Sequence, residues 1–116
     1  MRILLAKPKP LEEAELLEYF SSMNCYAKTV NNRSELCNVL DSQEIDIVLF
    51  NASTVDDFAQ IRYINDNYPT VKVIVSLETS LGNAVENVRN GSYQAIRRPF
   101  HLNDLDACIT SNFAIE

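Results

Sequence analysis

The sequence predicts an α/β protein: a three-layer (βα)5 arrangement in which a parallel five-stranded sheet, strand order 2-1-3-4-5, carries helices on both faces. Three observations predict it. Short β-type runs alternate with longer helix-type runs along the whole chain, and alternation of this kind gives a parallel sheet covered on both sides. The runs Ile47–Phe50 and Val73–Val75 are continuously apolar, as strands buried on both faces must be. The length, 116 residues, is that of one domain spanning 1–116. Right-handed crossovers leave few topologies open, and this strand order fits best.

Each element has its own signal. Arg2–Ala6 is an apolar strand closed by Lys7-Pro8-Lys9-Pro10. Over Leu11–Met23, the residues Ala14, Leu16, Leu17, Phe20 and Met23 recur at helical spacing, with Glu12, Glu13, Glu15 and Glu18 between them. Acid in the first turns suits a helix N-terminus. Tyr26–Val30 is a more polar strand, as expected at a sheet edge. Ser34–Leu40 reads as a short helix through Leu36, Cys37, Val39 and Leu40, and Ile45–Phe50 as the central strand. Phe58, Ile61, Ile64 and Tyr68 step by three and four along a helix stopped by Pro69. Its start is expected to be capped by Asp56 and Asp57. Val71–Val75 is the fourth strand, Asn83–Asn90 a fourth helix with Gly91 as its cap, and Gln94–Arg97 the last strand. Leu102, Leu105, Cys108, Ile109 and Phe113 line one face of a final helix that starts near Asn103.

In such sheets, ligands and chemistry sit beyond the carboxyl ends of the strands. That directs attention to Lys7-Pro8, Asn51, Ser76-Leu77-Glu78 and Arg98-Pro99. Around these positions the chain resembles the receiver domain of two-component response regulators, a flavodoxin-like, CheY-like fold. Asp46-Ile47-Val48-Leu49-Phe50-Asn51 resembles the third strand and its phosphoacceptor position. Tyr68-Pro69-Thr70-Val71-Lys72-Val73-Ile74-Val75-Ser76 resembles the turn and fourth strand up to the family's Thr/Ser switch. Asn90-Gly91 and Arg97-Arg98-Pro99-Phe100 resemble the end of the fourth helix and the family's Lys-Pro-Phe segment. The resemblance covers essentially the whole chain.

The departures carry as much information. Where the resemblance implies an acidic pair for Mg²⁺, the chain has Lys7 and Pro8; where it implies the acceptor Asp, it has Asn51; where it implies an invariant Lys, it has Arg98. The aromatic switch position in the last strand holds Ala95, with Tyr93 two residues earlier, and Ser76 alone fills its signature position with a functional equivalent. Phosphoryl transfer to a receiver needs a carboxylate nucleophile, and an amide is not one. It also needs a hard cation held by oxygens, and an ammonium stands where that cation would sit. The expectation is a degenerate pocket of Asn51, Lys7, Pro8, Ser76 and Arg98, with no catalytic residue, no resident metal and no cofactor. Lys7 and Arg98 are expected to be neutralised by nearby acids, with Asp56, Asp57 and Glu78 as the choices. An anion-binding pocket and substitute acceptors at Asp56 or Asp57 are the competing readings.

The remaining composition narrows the function further. A formal charge of -6 and a pI near 4.7 argue against direct nucleic-acid or anionic-membrane binding. No apolar run is long enough to span a bilayer, and the proline-rich interruption after Ala6 does not resemble a secretory signal. Cys25, Cys37 and Cys108 form neither a disulfide framework nor a metal pair; they read as small buried apolar side chains in a reducing cytoplasm. The sequence therefore points to a cytoplasmic signalling module without enzymatic activity, which regulates a fused output domain or a separate protein partner. The resemblance places the partner surface on the fourth helix, fifth strand and fifth helix, with Glu86, Arg89, Tyr93, Arg97, Asp104 and Asp106 as contact candidates, and a homodimer through the same surface as one form of the assembly. An unorthodox phosphoacceptor and a small-ligand or anion sensor are the alternatives.

Overall fold

The computed structural model describes residues 1–77, 93–97 and 101–113. Their order is β1 (Arg2–Ala6), α1 (Pro10–Ser22), β2 (Tyr26–Val30), α2 (Arg33–Ser42), β3 (Ile47–Ala52), α3 (Val55–Asn67), β4 (Lys72–Leu77), β5 (Tyr93–Arg97) and a last helix, Leu102–Phe113. The strands form one parallel sheet in the order β2-β1-β3-β4-β5, the topology expected from the alternation. The expected helix over 83–90 lies outside the described residues.

Side-chain alternation along the strands divides the core in two. Leu4, Val48, Phe50, Val73 and Val75 face α2 and α3, where Leu36, Val39, Leu40, Ile61 and Ile64 meet them. Ile3, Leu5, Ile47, Leu49, Ile74 and Ile96 face α1 and the last helix, meeting Leu16, Phe20, Leu105 and Ile109. Both faces of β1, β3 and β4 are covered, so the middle residues of these strands are apolar. Burial of Phe20 and Phe50 is complete.

Four local expectations are corrected. β3 runs on through Asn51 and Ala52, because both pair in register with Ser76 and Leu77 of β4. The buried stripe of α1 consists of Leu16 and Phe20, while Ala14 and Met23 are exposed, because only one narrow side of this helix meets the sheet. Pro10 takes the first turn of α1, where its missing amide hydrogen has no intrahelical acceptor to lose. The cysteines are free and only half-buried; Cys25 and Cys108 pack on the rim of the second cluster rather than inside it. Among the described residues, no helix is long and apolar enough to cross a membrane.

Candidate functional site

Three polar residues gather at the carboxyl edge of the sheet. Asn51 is 8% exposed and Ser76 1% exposed, and the two are register partners across β3 and β4. Their side chains meet: the Ser76 hydroxyl donates to Asn51 Oδ1 at 3.3 Å. The other end of the same amide, Nδ2, donates to the carbonyl of Lys7, the third residue, at 3.1 Å. Asn51 is thereby used as both donor and acceptor, which a carboxylate cannot be.

Lys7 follows β1 immediately and has φ 55°, in the left-handed region. That conformation costs a residue with a Cβ about 1 kcal/mol or more, and it lies outside the extended region favoured by a residue before proline, here Pro8. Three contacts hold it there. The Lys7 amide donates to the Val30 carbonyl at 2.9 Å, its carbonyl accepts from Asn51, and its ammonium contacts Asp57 Oδ1 at 2.6 Å. By period-two alternation an extended residue 7 would point with Ile3 and Leu5 toward the α1 face. The left-handed turn instead lets Lys7 reach Asp57 at the start of α3, the helix packed on the opposite face.

Asp57 is 1% exposed and well provided with donors. Besides the Lys7 ammonium, its Oδ2 accepts from the backbone amides of Ser53 at 2.9 Å and Thr54 at 3.0 Å. It thus satisfies free N–H groups at the N-terminus of α3, in the manner of the acidic member of a capping box. Burial pushes the Asp57 carboxyl up, but the Lys7 hydrogen bond, the Ser53 and Thr54 amides and the Lys7 charge outweigh it, so the group titrates below its ordinary value. Among the described acids weighed as partners for Lys7, Asp57 is the one engaged; Asp56 is exposed, and Glu78 lies outside the described residues.

The other expected site residues are placed as follows. Pro8 is half-buried beside Lys7. Arg98, Glu86 and Arg89 lie outside the described residues. Tyr93 and Arg97 are on β5, opposite Val73 and Leu77. Asp104 and Asp106 are exposed, and each is engaged within the chain. Asp104 accepts from the His101 amide at 3.0 Å, capping the last helix. Asp106 accepts from the Tyr19 hydroxyl at 2.9 Å, tying that helix to α1. Burial, followed by this hydrogen bond and the Asp106 charge, pushes Tyr19 up to about 12.

The donor set does not suit the divalent cation that the resemblance implies. A hard cation takes several oxygen ligands. The described residues of this edge instead offer an ammonium, an amide already bonded at both ends, and one carboxylate engaged by Lys7 and two backbone amides. Among the described residues no three His, Cys, Asp or Glu side chains come together.

No family model matches the chain, and no curated protein matches it in sequence. Solved structures match its fold. The receiver domain of the TMAO respiratory system response regulator TorR superposes with a TM-score of 0.86 at 17% identity, covering 97% of this chain and 96% of that one. The signal receiver domain of an HD domain-containing protein from Pseudomonas fluorescens Pf-5 matches at 0.83 and 18% identity, over 95% and 91% of the two chains. A structure of two RcsB dimers bound to two parallel DNAs matches at 0.83 and 14% identity, over all of this chain and 61% of that one. The protein has the fold of the response-regulator receiver domains. Within that fold, its strand-end edge is built around an amide and an internal ion pair.

Proposed function

We propose that this chain is an atypical receiver domain in signal transduction, one that accepts no phosphoryl group at Asn51 and regulates a fused output domain or a partner through protein contacts. The observation that carries the reading is the Asn51 amide, donating to the Lys7 carbonyl and accepting from Ser76 beside an ammonium already engaged by Asp57. Phosphoryl transfer needs a nucleophile and a cation that spreads the developing charge, and the described residues of this edge favour neither. Asp57 does not replace Asn51 as acceptor, since its carboxylate is buried, ion-paired and hydrogen-bonded to the start of α3. Commitment of Lys7 to Asp57 equally weakens the reading as an anion sensor.

Receiver folds fused to further chain are represented among the structural relatives by RcsB, of which this chain covers 61%. Contact with a partner is assigned, from the family resemblance of the sequence, to Tyr93 and Arg97 on β5 and Asp104 and Asp106 on the last helix, together with Glu86 and Arg89, which lie outside the described residues. The DNA in the RcsB structure belongs to that protein; here the acidic charge of -6 favours a protein partner. The test compares Asn51→Asp with the triple variant Asn51→Asp, Lys7→Asp, Pro8→Asp after acetyl phosphate and Mg²⁺, by intact mass. Phosphate on the triple variant alone is the expected result, because only there are oxygen ligands present. Phosphate on Asn51→Asp alone contradicts the reading.

A further inference from the structure

We propose that Lys7 acts as a built-in cation that couples the start of α3 to Ser76 on β4, making the strand-end edge one mechanical unit without any bound ion. A continuous polar chain joins them. Asp57 Oδ1 holds the Lys7 ammonium at 2.6 Å. The Lys7 carbonyl accepts from Asn51 Nδ2 at 3.1 Å, and Asn51 Oδ1 accepts from the Ser76 hydroxyl at 3.3 Å. The links pass from α3 through the segment after β1 and across β3 to β4.

A simpler account would have two unrelated features, a partly exposed ion pair and a buried amide bonded to a hydroxyl. Partly exposed pairs are common and contribute little. Three features of this one argue for more. The Lys7 side chain is 33% exposed but that of Asp57 only 2%, so the pair is anchored on a buried carboxylate. Lys7 reaches Asp57 through a left-handed backbone at φ 55°, a conformation that persists only where its surroundings over-determine it. The same residue supplies the carbonyl that orients Asn51, so any change in the ion pair that moves the Lys7 backbone moves the amide as well. A covalently attached cation, unlike a metal, cannot leave the protein, so the coupling needs no added ion as long as Asp57 is ionised. The inference does not depend on which partner the domain serves.

The test is a double-mutant cycle between Lys7 and Ser76, which Asn51 links by its two hydrogen bonds. Urea unfolding of the wild type, Lys7→Met, Ser76→Ala and the double variant gives four unfolding constants. Members of one hydrogen-bonded network show non-additive effects, so the effect of Lys7→Met is expected to change by at least about fivefold when Ser76→Ala is also present. Effects that multiply to within about twofold overturn the inference. Asp57→Asn replaces Lys7→Met if the latter does not fold, since it keeps an acceptor for the Ser53 and Thr54 amides, and the same criterion applies. The cycle is repeated in Mg²⁺ and in a chelator. Equal coupling in both is expected, and a coupling present only with Mg²⁺ overturns the proposal.

Discussion

The substitution Asn51→Asp is the smallest change that separates a structural amide from an acceptor site. Its side chain keeps the same shape but loses the donor that Nδ2 offers to the Lys7 carbonyl at 3.1 Å. At neutral pH, a carboxylate oxygen faces that carbonyl in a position 8% exposed. A buried acceptor left without its partner costs about 1–3 kcal/mol, and the facing oxygens add to this. The Lys7 ammonium offers partial relief only, because Asp57 holds it at 2.6 Å. The expected loss at pH 7 is about 2–3 kcal/mol. Protonation restores an O–H donor, so the folded state favours the protonated form and the new carboxyl has a raised pKa. A group raised on folding contributes fully below its unfolded value, about 3.9, and its contribution is lost as pH rises through the folded value. The deficit relative to wild type should therefore be small near pH 4 and grow toward pH 7. Urea midpoints of both proteins across that range measure it; Asp57 is common to both and cancels in the difference. A variant as stable as wild type at pH 7, or a deficit that shrinks as pH rises, refutes the role given to the Asn51 amide.

Removing the whole Asp57 side chain with Asp57→Ala takes away the Lys7 partner and the acceptor of two backbone amides at the start of α3, and should cost about 2–4 kcal/mol in urea unfolding. Because Asp57 titrates below its ordinary value, its contribution is complete above the unfolded pKa of about 3.9 and is lost as pH falls below it; Asp57→Asn should lack that acid limb. At the alkaline end, Tyr19 is pushed up to about 12, and Tyr68, bonded to Asp41, is raised as well. Stability should hold below the unfolded pKa of about 10 and fall as pH rises beyond it, with a shallower fall for Tyr19→Phe. Phe50→Ala, at a fully buried position of β3, should cost about 3–5 kcal/mol in the same assay.

Much of the fold could be read from the sequence because burial on two faces leaves a continuous apolar signal, as in Ile47–Phe50. The end of β3 could not be placed from that signal: Asn51 interrupts it, yet the ladder to Ser76 and Leu77 continues. In α1 the periodicity includes Ala14 and Met23, but helical spacing alone does not say how wide a stripe the sheet will cover, and only Leu16 and Phe20 are buried. At the candidate site, residue types at strand ends were enough to expect a basic, acid-poor edge with Lys7 neutralised. The choice among Asp56, Asp57 and Glu78 was open in the sequence. The three-residue spacing of Thr54 and Asp57 is the signal that singles out Asp57, since the acidic member of a capping box folds back toward the preceding backbone. The left-handed backbone of Lys7 has no sequence signature at all, because neither lysine nor the following proline favours it. Asp104 and Asp106 entered as partner-contact candidates implied by the resemblance; the tie of Asp104 to His101 is local to the start of the last helix, whereas that of Asp106 to Tyr19 depends on where α1 lies beside that helix.

The central claim, a receiver fold without acceptor chemistry, is tested most directly on the unaltered protein. The wild type is incubated with acetyl phosphate and Mg²⁺, and its intact mass is followed together with the amide spectrum of Asn51, Ser76 and the start of α3. The account predicts an unchanged mass and no saturable shift at these amides, because the ammonium of Lys7 and the amide of Asn51 occupy the edge. A phosphoryl adduct on the wild type, or saturable Mg²⁺-dependent shifts around Asn51, would contradict it.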